Sequence, residues 1–191
     1  LRSILESDLL LFKIGRFDPD KRWFMAIEAA ARLKALGLRV VLVIRGGIEP
    51  HGGEVLDLAF RLGLRVHDVT AQGRSLEDCF QALEQAPRAD ILNLKFFVPD
   101  ELVRLFYRAS DAVLANSGHE PFGLVGLEGM AAGGVVFTGS TGEDYAISTE
   151  NCIALETSDP DEIVQNLLYL HAHPQLAVQM RHDAMELSLI H

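Results

Sequence analysis

Two carboxylates eight residues apart, Glu120 and Glu128, flank a point where a strand gives way to a helix. The run from Asp111 to Ala115 reads as the strand, a glycine-containing loop follows, and a helical pattern begins near Phe122. At such a junction the backbone amides of Phe122, Gly123 and Leu124 lack partners within the helix and aim partial positive charge at one point. A phosphate suits that point. Gly123 lets a ligand approach the backbone closely. The two carboxylates could each hold hydroxyl groups, and phosphate with hydroxyls on either side describes a sugar nucleotide.

A second group of charges lies near the start of the chain. Arg16 and Lys21 flank Asp18-Pro19-Asp20 in the loop after the first strand. The planar fork of an arginine gives a diphosphate two parallel charge-assisted bonds, and a lysine adds a compact charge. The Asp-x-Asp spacing of Asp18 and Asp20 suggests a metal, but Asp159-Pro160-Asp161 repeats it at an obvious helix start. A turn-and-cap role therefore accounts for both, and no essential metal is expected. Arg45-Gly46-Gly47 reads as a strand-to-helix turn that could line the same cleft, and Gly139 to Gly142 follows another strand. No Gly-x-Gly-x-x-Gly run stands between a strand and a helix, which excludes a dinucleotide fingerprint. A glycosidase pair fits poorly, since one carboxylate on a loop and one well inside a helix do not flank a glycosidic bond. His119 adjoins Glu120 and could reach a ligand. His171 and His173 lie near a helix end without further metal ligands and read as helix-end cations or polar fillers.

The elements that must position these groups follow from the hydrophobic pattern. Strands are expected at 9–14, 39–44, 64–68, 91–94, 112–115, 135–138 and 152–155. Helices are expected at 21–36, 53–62, 76–85, 99–108, 122–132, 159–170 and 174–187. Gly37, Gly63 and Gly133 stand where helices should end. Asp159 reads as an N-cap with Pro160 at the first helical position. Alternation of helices with nearly all-apolar strands implies an α/β fold, a Rossmann-like doubly wound parallel sheet with helices on both faces. Ligands of such sheets sit beyond the carboxyl ends of the strands. Arg16, Lys21 and Glu120 all map to that edge.

Composition bounds the alternatives. The 191 residues suit one domain, and the apolar fraction of 49% and charged fraction of 23% are ordinary for a globular chain. A formal charge of −10 argues against a nucleic-acid partner but permits a small phosphate ligand held by local cations. No apolar run reaches the length of a membrane span. Cys79 and Cys152 have neither a disulfide nor a metal spacing and read as buried thiols of a cytoplasmic protein.

The segment Glu120-Pro-Phe-Gly-Leu-x-x-x-Glu128 resembles the Glu-x7-Glu motif of retaining glycosyltransferases with the GT-B fold. It is most similar to family 4, which includes sucrose, trehalose and glycogen synthase-like enzymes. Gly129-Met-Ala-Ala-Gly-Gly-Val-Val136 and Gly15-Arg16-Phe17-Asp18-Pro19-Asp20-Lys21 resemble the same family, in its order along the chain. The resemblance covers residues 1–191 as a donor-binding domain, with the N-terminal acceptor domain absent. It implies that Arg16 and Lys21 contact the donor's phosphates and stabilise the leaving nucleotide. Glu120 would contact the transferred sugar and Glu128 the ribose. Gly15, Val98, Phe122, Gly123 and Leu124 would complete the donor site, and no cofactor is required. The implied partners are a nucleoside-diphosphate sugar and an N-terminal GT-B domain, without which the isolated domain should be inactive. A sugar-nucleotide epimerase of the same architecture and a non-catalytic nucleotide-sugar-binding module are the alternatives. Departures are Arg22 where the family usually has Gly, no glycine in Lys95-Phe96-Phe97-Val98, Gly134 in place of proline, Tyr145 about where Glu is frequent, and Cys152 in place of Gly.

Overall fold

The computed structural model of the chain describes residues 1–118, 123–139 and 145–188. Among these, seven strands form one parallel sheet: β1 Leu9–Ile14, β2 Val40–Arg45, β3 Val66–Val69, β4 Ile91–Leu94, β5 Ala112–Ala115, β6 Val136–Thr138 and β7 Ile153–Ala154. Their order across the sheet is β3-β4-β2-β1-β5-β6-β7. The helices are α1 Arg2–Leu5, α2 Trp23–Ala35, α3 His51–Arg61, α4 Leu76–Glu84, α5 Asp100–Ala109, α6 Leu124–Ala131, α7 Pro160–Ala172 and α8 Pro174–Ser188.

The apolar strands are explained by burial on both faces. Along β1, Leu9 and Leu11 point into a core shared with Ile27 and Leu33 of α2, Val55 of α3 and Leu167 of α7. Leu10 and Phe12 point the other way, into a core shared with Cys79 of α4, Phe106 of α5 and Met130 of α6. Phe12 stacks on Phe106 with ring centroids 4.8 Å apart. The Rossmann-like doubly wound architecture is thus present.

Strand order creates the functional edge. From β1 the chain crosses to β2 on one side, whereas from β5 it continues to β6 and β7 on the other. Helix α2 packs on one face of the sheet and α6 on the opposite face. The first turns of these helices therefore diverge at the carboxyl ends of β1 and β5. Such a switch point opens a crevice with no connection across it.

Several boundaries differ from the sequence reading. Lys21 closes a short 3-10 turn, Pro19–Lys21, and α2 begins only at Trp23. The break lies at Arg22, which adopts the left-handed conformation (φ 48, ψ 48). A helix cannot run through such a residue. Helix α6 starts at Leu124 because Gly123 is also left-handed, at φ 66. Leu124, the first residue of that helix, is 60% exposed. Strand β7 keeps only two of four expected residues, and α1 had no signal in the hydrophobic pattern.

Candidate functional site

The loop after β1, residues 15–22, is held by its backbone and its apolar members, which leaves its charges outward. Gly15 continues the ladder by donating to the Arg45 carbonyl at 3.1 Å. Phe17 is buried, packs on Trp23 with ring centroids 4.7 Å apart, and fills the space over two glycines. A Cβ on Gly46 would overlap the Phe17 ring, and one on Gly52 would meet it at 2.6 Å. The Phe17 amide donates to Glu49 Oε2 at 2.9 Å, and Trp23 Nε1 donates to the Arg16 carbonyl at 2.8 Å. The Phe17 amide bond holds the Glu49 carboxyl below its ordinary range. Asp18 caps the 3-10 turn through Oδ1, which accepts from the Asp20 amide at 3.0 Å. Asp159 caps α7 in the same way and pairs with Arg32 at 2.9 Å. Both Asp-x-Asp sequences thus serve caps.

The loop after β5 is tied to the first one. The Gly118 amide donates to the Asp20 carbonyl at 2.6 Å. Asn116, fully buried, donates to the Arg22 carbonyl at 3.2 Å and accepts from Lys13 Nζ at 2.6 Å. Lys13 had not been singled out from sequence. It is 3% exposed, donates also to the Leu114 carbonyl at 3.1 Å, and lies 5.0 Å from the Trp23 ring centroid. The signal available was a lone lysine near the end of the strand LLLFKI.

These pieces enclose a cleft at the switch point. It is lined by Lys13, Gly15, Lys21, Ser117, Gly123, Thr138 and Tyr145, among others. Lys13, Lys21 and Gly123, the residue before α6, therefore line one small cavity. Thr138 Oγ1 is buried there and, among the described residues, has no hydrogen-bond partner beyond a weak contact with the Cys152 thiol. Tyr145 donates to the Gly123 carbonyl at 2.9 Å, pinning the residue that starts α6. Burial pushes the Cys152 thiol up to about 11 and raises Cys79 as well, so both are buried and protonated at neutral pH.

A second, open groove shares Gly15 with the cleft and adds Arg16, Arg45, Gly46, Gly47, Phe97 and Val98. The turn at Gly46 thus lines this groove and not the cleft. Glu128 lines a third groove. It is exposed on α6, accepts from Tyr107 Oη at 3.2 Å, and borders this groove, of about 520 Å³, with Asp100 and Arg104. Burial, then the Glu128 charge, drives the Tyr107 phenol well above its ordinary range, so it stays a donor. Of the sequence-predicted residues, Gly15, Lys21 and Gly123 share the cleft, while Arg16 and Val98 share the adjoining groove with Gly15. Leu124 forms the exposed first turn of α6. Glu120 and Phe122, together with His119 and residues 140–144, lie outside the described residues. His173 Nδ1 meets the Tyr169 carbonyl at 2.8 Å, a polar filler at the end of α7.

Fold and site together define a Rossmann-like domain of the kind that forms one half of a GT-B glycosyltransferase, with a cationic cleft at its switch point. The chain belongs to the family of glycosyl transferases group 1, whose pattern matches residues 2–186. It is 33% identical over 144 residues to a D-inositol 3-phosphate glycosyltransferase from Geodermatophilus obscurus, covering 73% of this chain and 28% of that protein. The C-terminal domain of a glycosyl transferase group 1 family protein from Francisella tularensis superimposes with a TM-score of 0.69 at 23% identity, over 96% of this chain and 86% of that one. Anabaena HepE in complex with UDP-glucose superimposes with a TM-score of 0.73 at 19% identity, over 98% of this chain and 46% of that one. The chain therefore spans between about a quarter and a half of the longer relatives. No helix among the described residues is long and apolar enough to cross a membrane.

Proposed function

We propose that this chain is the donor-binding domain of a retaining hexosyltransferase and holds a nucleoside-diphosphate sugar at the β1–β5 switch point. The observation that carries the reading is the cleft itself, which Lys13, Lys21 and Gly123 line together, next to the groove that Arg16 lines. An anion placed there meets two ammonium groups and the amides of a helix start. The binding of UDP-glucose by HepE, which shares the fold, supports the same ligand class.

In this reading the diphosphate lies between Lys21, Arg16 and the α6 amides around Gly123 and Leu124. As the bond to the sugar breaks, negative charge grows on the departing diphosphate, and these fixed donors stabilise it. Glu120 orients the sugar, Phe122 adds to the donor contacts, Glu128 takes the ribose hydroxyls and the Val98 backbone takes the base. The acceptor binds to an upstream domain, and the isolated chain binds donor without turnover. The protein cations do the work that a metal does elsewhere, so no metal or other cofactor is required.

Titration calorimetry with UDP, ADP and GDP tests this. The expected Kd is on the order of 0.1–1 mM, since half of the closing cleft belongs to another domain. Binding should persist in EDTA. Absence of heat with all three nucleotides at millimolar concentration would refute the donor-domain reading. Loss of binding in EDTA with rescue by magnesium would refute the metal-free one.

A further inference from the structure

We propose that Phe97 is the platform on which the donor's nucleobase stacks. The inference rests on the nucleoside-diphosphate reading above and specifies which side chain takes the base. Phe97 is 60% exposed, whereas its neighbours Phe96 and Val98 are each 8% exposed. The segment therefore buries what it can and leaves one aromatic ring facing outward. That ring borders the groove that also contains Gly15, Arg16, Gly46 and Val98.

The ring is held rather than loose. Arg45 Nε donates to the Phe96 carbonyl at 3.1 Å, tying the segment to the end of β2. The Lys95 amide donates to the Val69 carbonyl at 2.8 Å, tying it to β3. The Arg74 guanidinium lies 5.8 Å from the Phe97 ring centroid, a cation–π contact that restricts the ring further. A fixed, exposed ring gives a planar heteroaromatic large contact area at little ordering cost.

The groove also has polarity. Arg16 stands on the same lining as Phe97, and Gly15 connects it to the cleft with Lys21. A ligand with anionic groups at one end and a flat ring at the other matches that order. Stacking on a phenyl face discriminates little among bases, though larger ring systems gain more contact.

The test compares UDP, ADP and inorganic pyrophosphate on wild-type protein, Phe97→Ala and Phe97→Trp, with a thermal melt of each. Stacking on an aromatic is worth roughly fivefold to a hundredfold on alanine substitution. Phe97→Ala should weaken both nucleotides by that range, ADP more than UDP, and leave pyrophosphate unchanged. Phe97→Trp should retain or tighten both nucleotides. Wild-type nucleotide affinity in Phe97→Ala would overturn the inference while leaving the nucleotide reading intact. Equal weakening of pyrophosphate would overturn it too, because the effect would then be on the phosphate end. Failure of the wild-type chain to bind any of the three would remove the nucleotide reading itself.

Discussion

The side chains that matter divide into those the fold needs and those it merely displays. Arg16 belongs to the second kind. Its carbonyl anchors Trp23, but its guanidinium is exposed. Arg16→Ala keeps the carbonyl, so the thermal midpoint should hardly move. Diphosphate binding should weaken about ten- to a hundredfold, since a charged hydrogen bond contributes roughly 1.5–3 kcal/mol and each 1.4 kcal/mol is tenfold. Unfolding of the variant with unchanged residual affinity would make Arg16 structural and end its phosphate assignment. Arg22 is the contrary case. It sits in left-handed backbone, a conformation that favours glycine, and its guanidinium donates to the Thr157 carbonyl at 3.1 Å. The strain is on the order of 1–2 kcal/mol. Arg22→Gly removes strain and bond together and should leave stability equal or higher. Arg22→Ala keeps the strain, loses the bond and should melt lower. The reverse ranking in a denaturant titration would show that the side chain, not the backbone, dominates at this position.

At the scale of elements, the loop of residues 15–22 behaves as one clamped unit, and its clamp is sensitive to acid. Glu49 receives the Phe17 amide, and that bond depresses its carboxyl below the ordinary 4.5. A depressed folded-state value means the contribution is complete above about 4.5 and is lost as pH falls through the lowered value. Trp23 is the chain's one tryptophan, is fully buried and bonds the Arg16 carbonyl, so its emission reports this loop. In wild-type protein the emission should change below about pH 4.5, and Glu49→Gln should flatten that change. An identical acid transition in both would place the sensitive group elsewhere. How much of this was legible beforehand follows from the same elements. Strands β1, β4 and β5 had the expected limits, because short apolar runs between polar turns mark buried strands well. The order of strands had no local signal, yet that order places the crevice. Lys13 was hidden by its apolar strand. Its role depends on the Leu114 carbonyl and Asn116, about a hundred residues away. The orientation of α6 had no signal either, because its sequence LVGLEGMA is apolar nearly all round.

For the whole molecule, the distribution of exposed apolar side chains carries a further argument. Ile48 follows β2, Phe97 follows β4, Leu124 opens α6 after β5, Phe24 opens α2 after β1, and Ile147 follows β6. All five are exposed, and Ile48 and Phe97 lie within three residues of the carboxyl ends of their strands, the edge that carries the cleft. Exposed apolar residues are ordinary, and eight of the thirteen large ones among the described residues lie elsewhere, so the proposal of a covering domain is tested at a single position of this edge. The match to the Geodermatophilus relative covers 28% of that protein, which leaves room for the proposed upstream domain to supply the cover. Ile48 is the most informative of these residues because it is wholly exposed and lines neither the cleft nor the adjoining groove. Ile48→Asp should therefore leave both the melting point and the UDP affinity of this chain unchanged. In a two-domain protein it should lower turnover, because a carboxylate forced into an apolar contact opposes closure. Sugar transfer from UDP-glucose and other nucleotide sugars, measured with and without Ile48→Asp in that longer protein, checks this. Equal rates would show that Ile48 stays in solvent during the reaction and that the second domain approaches from another side.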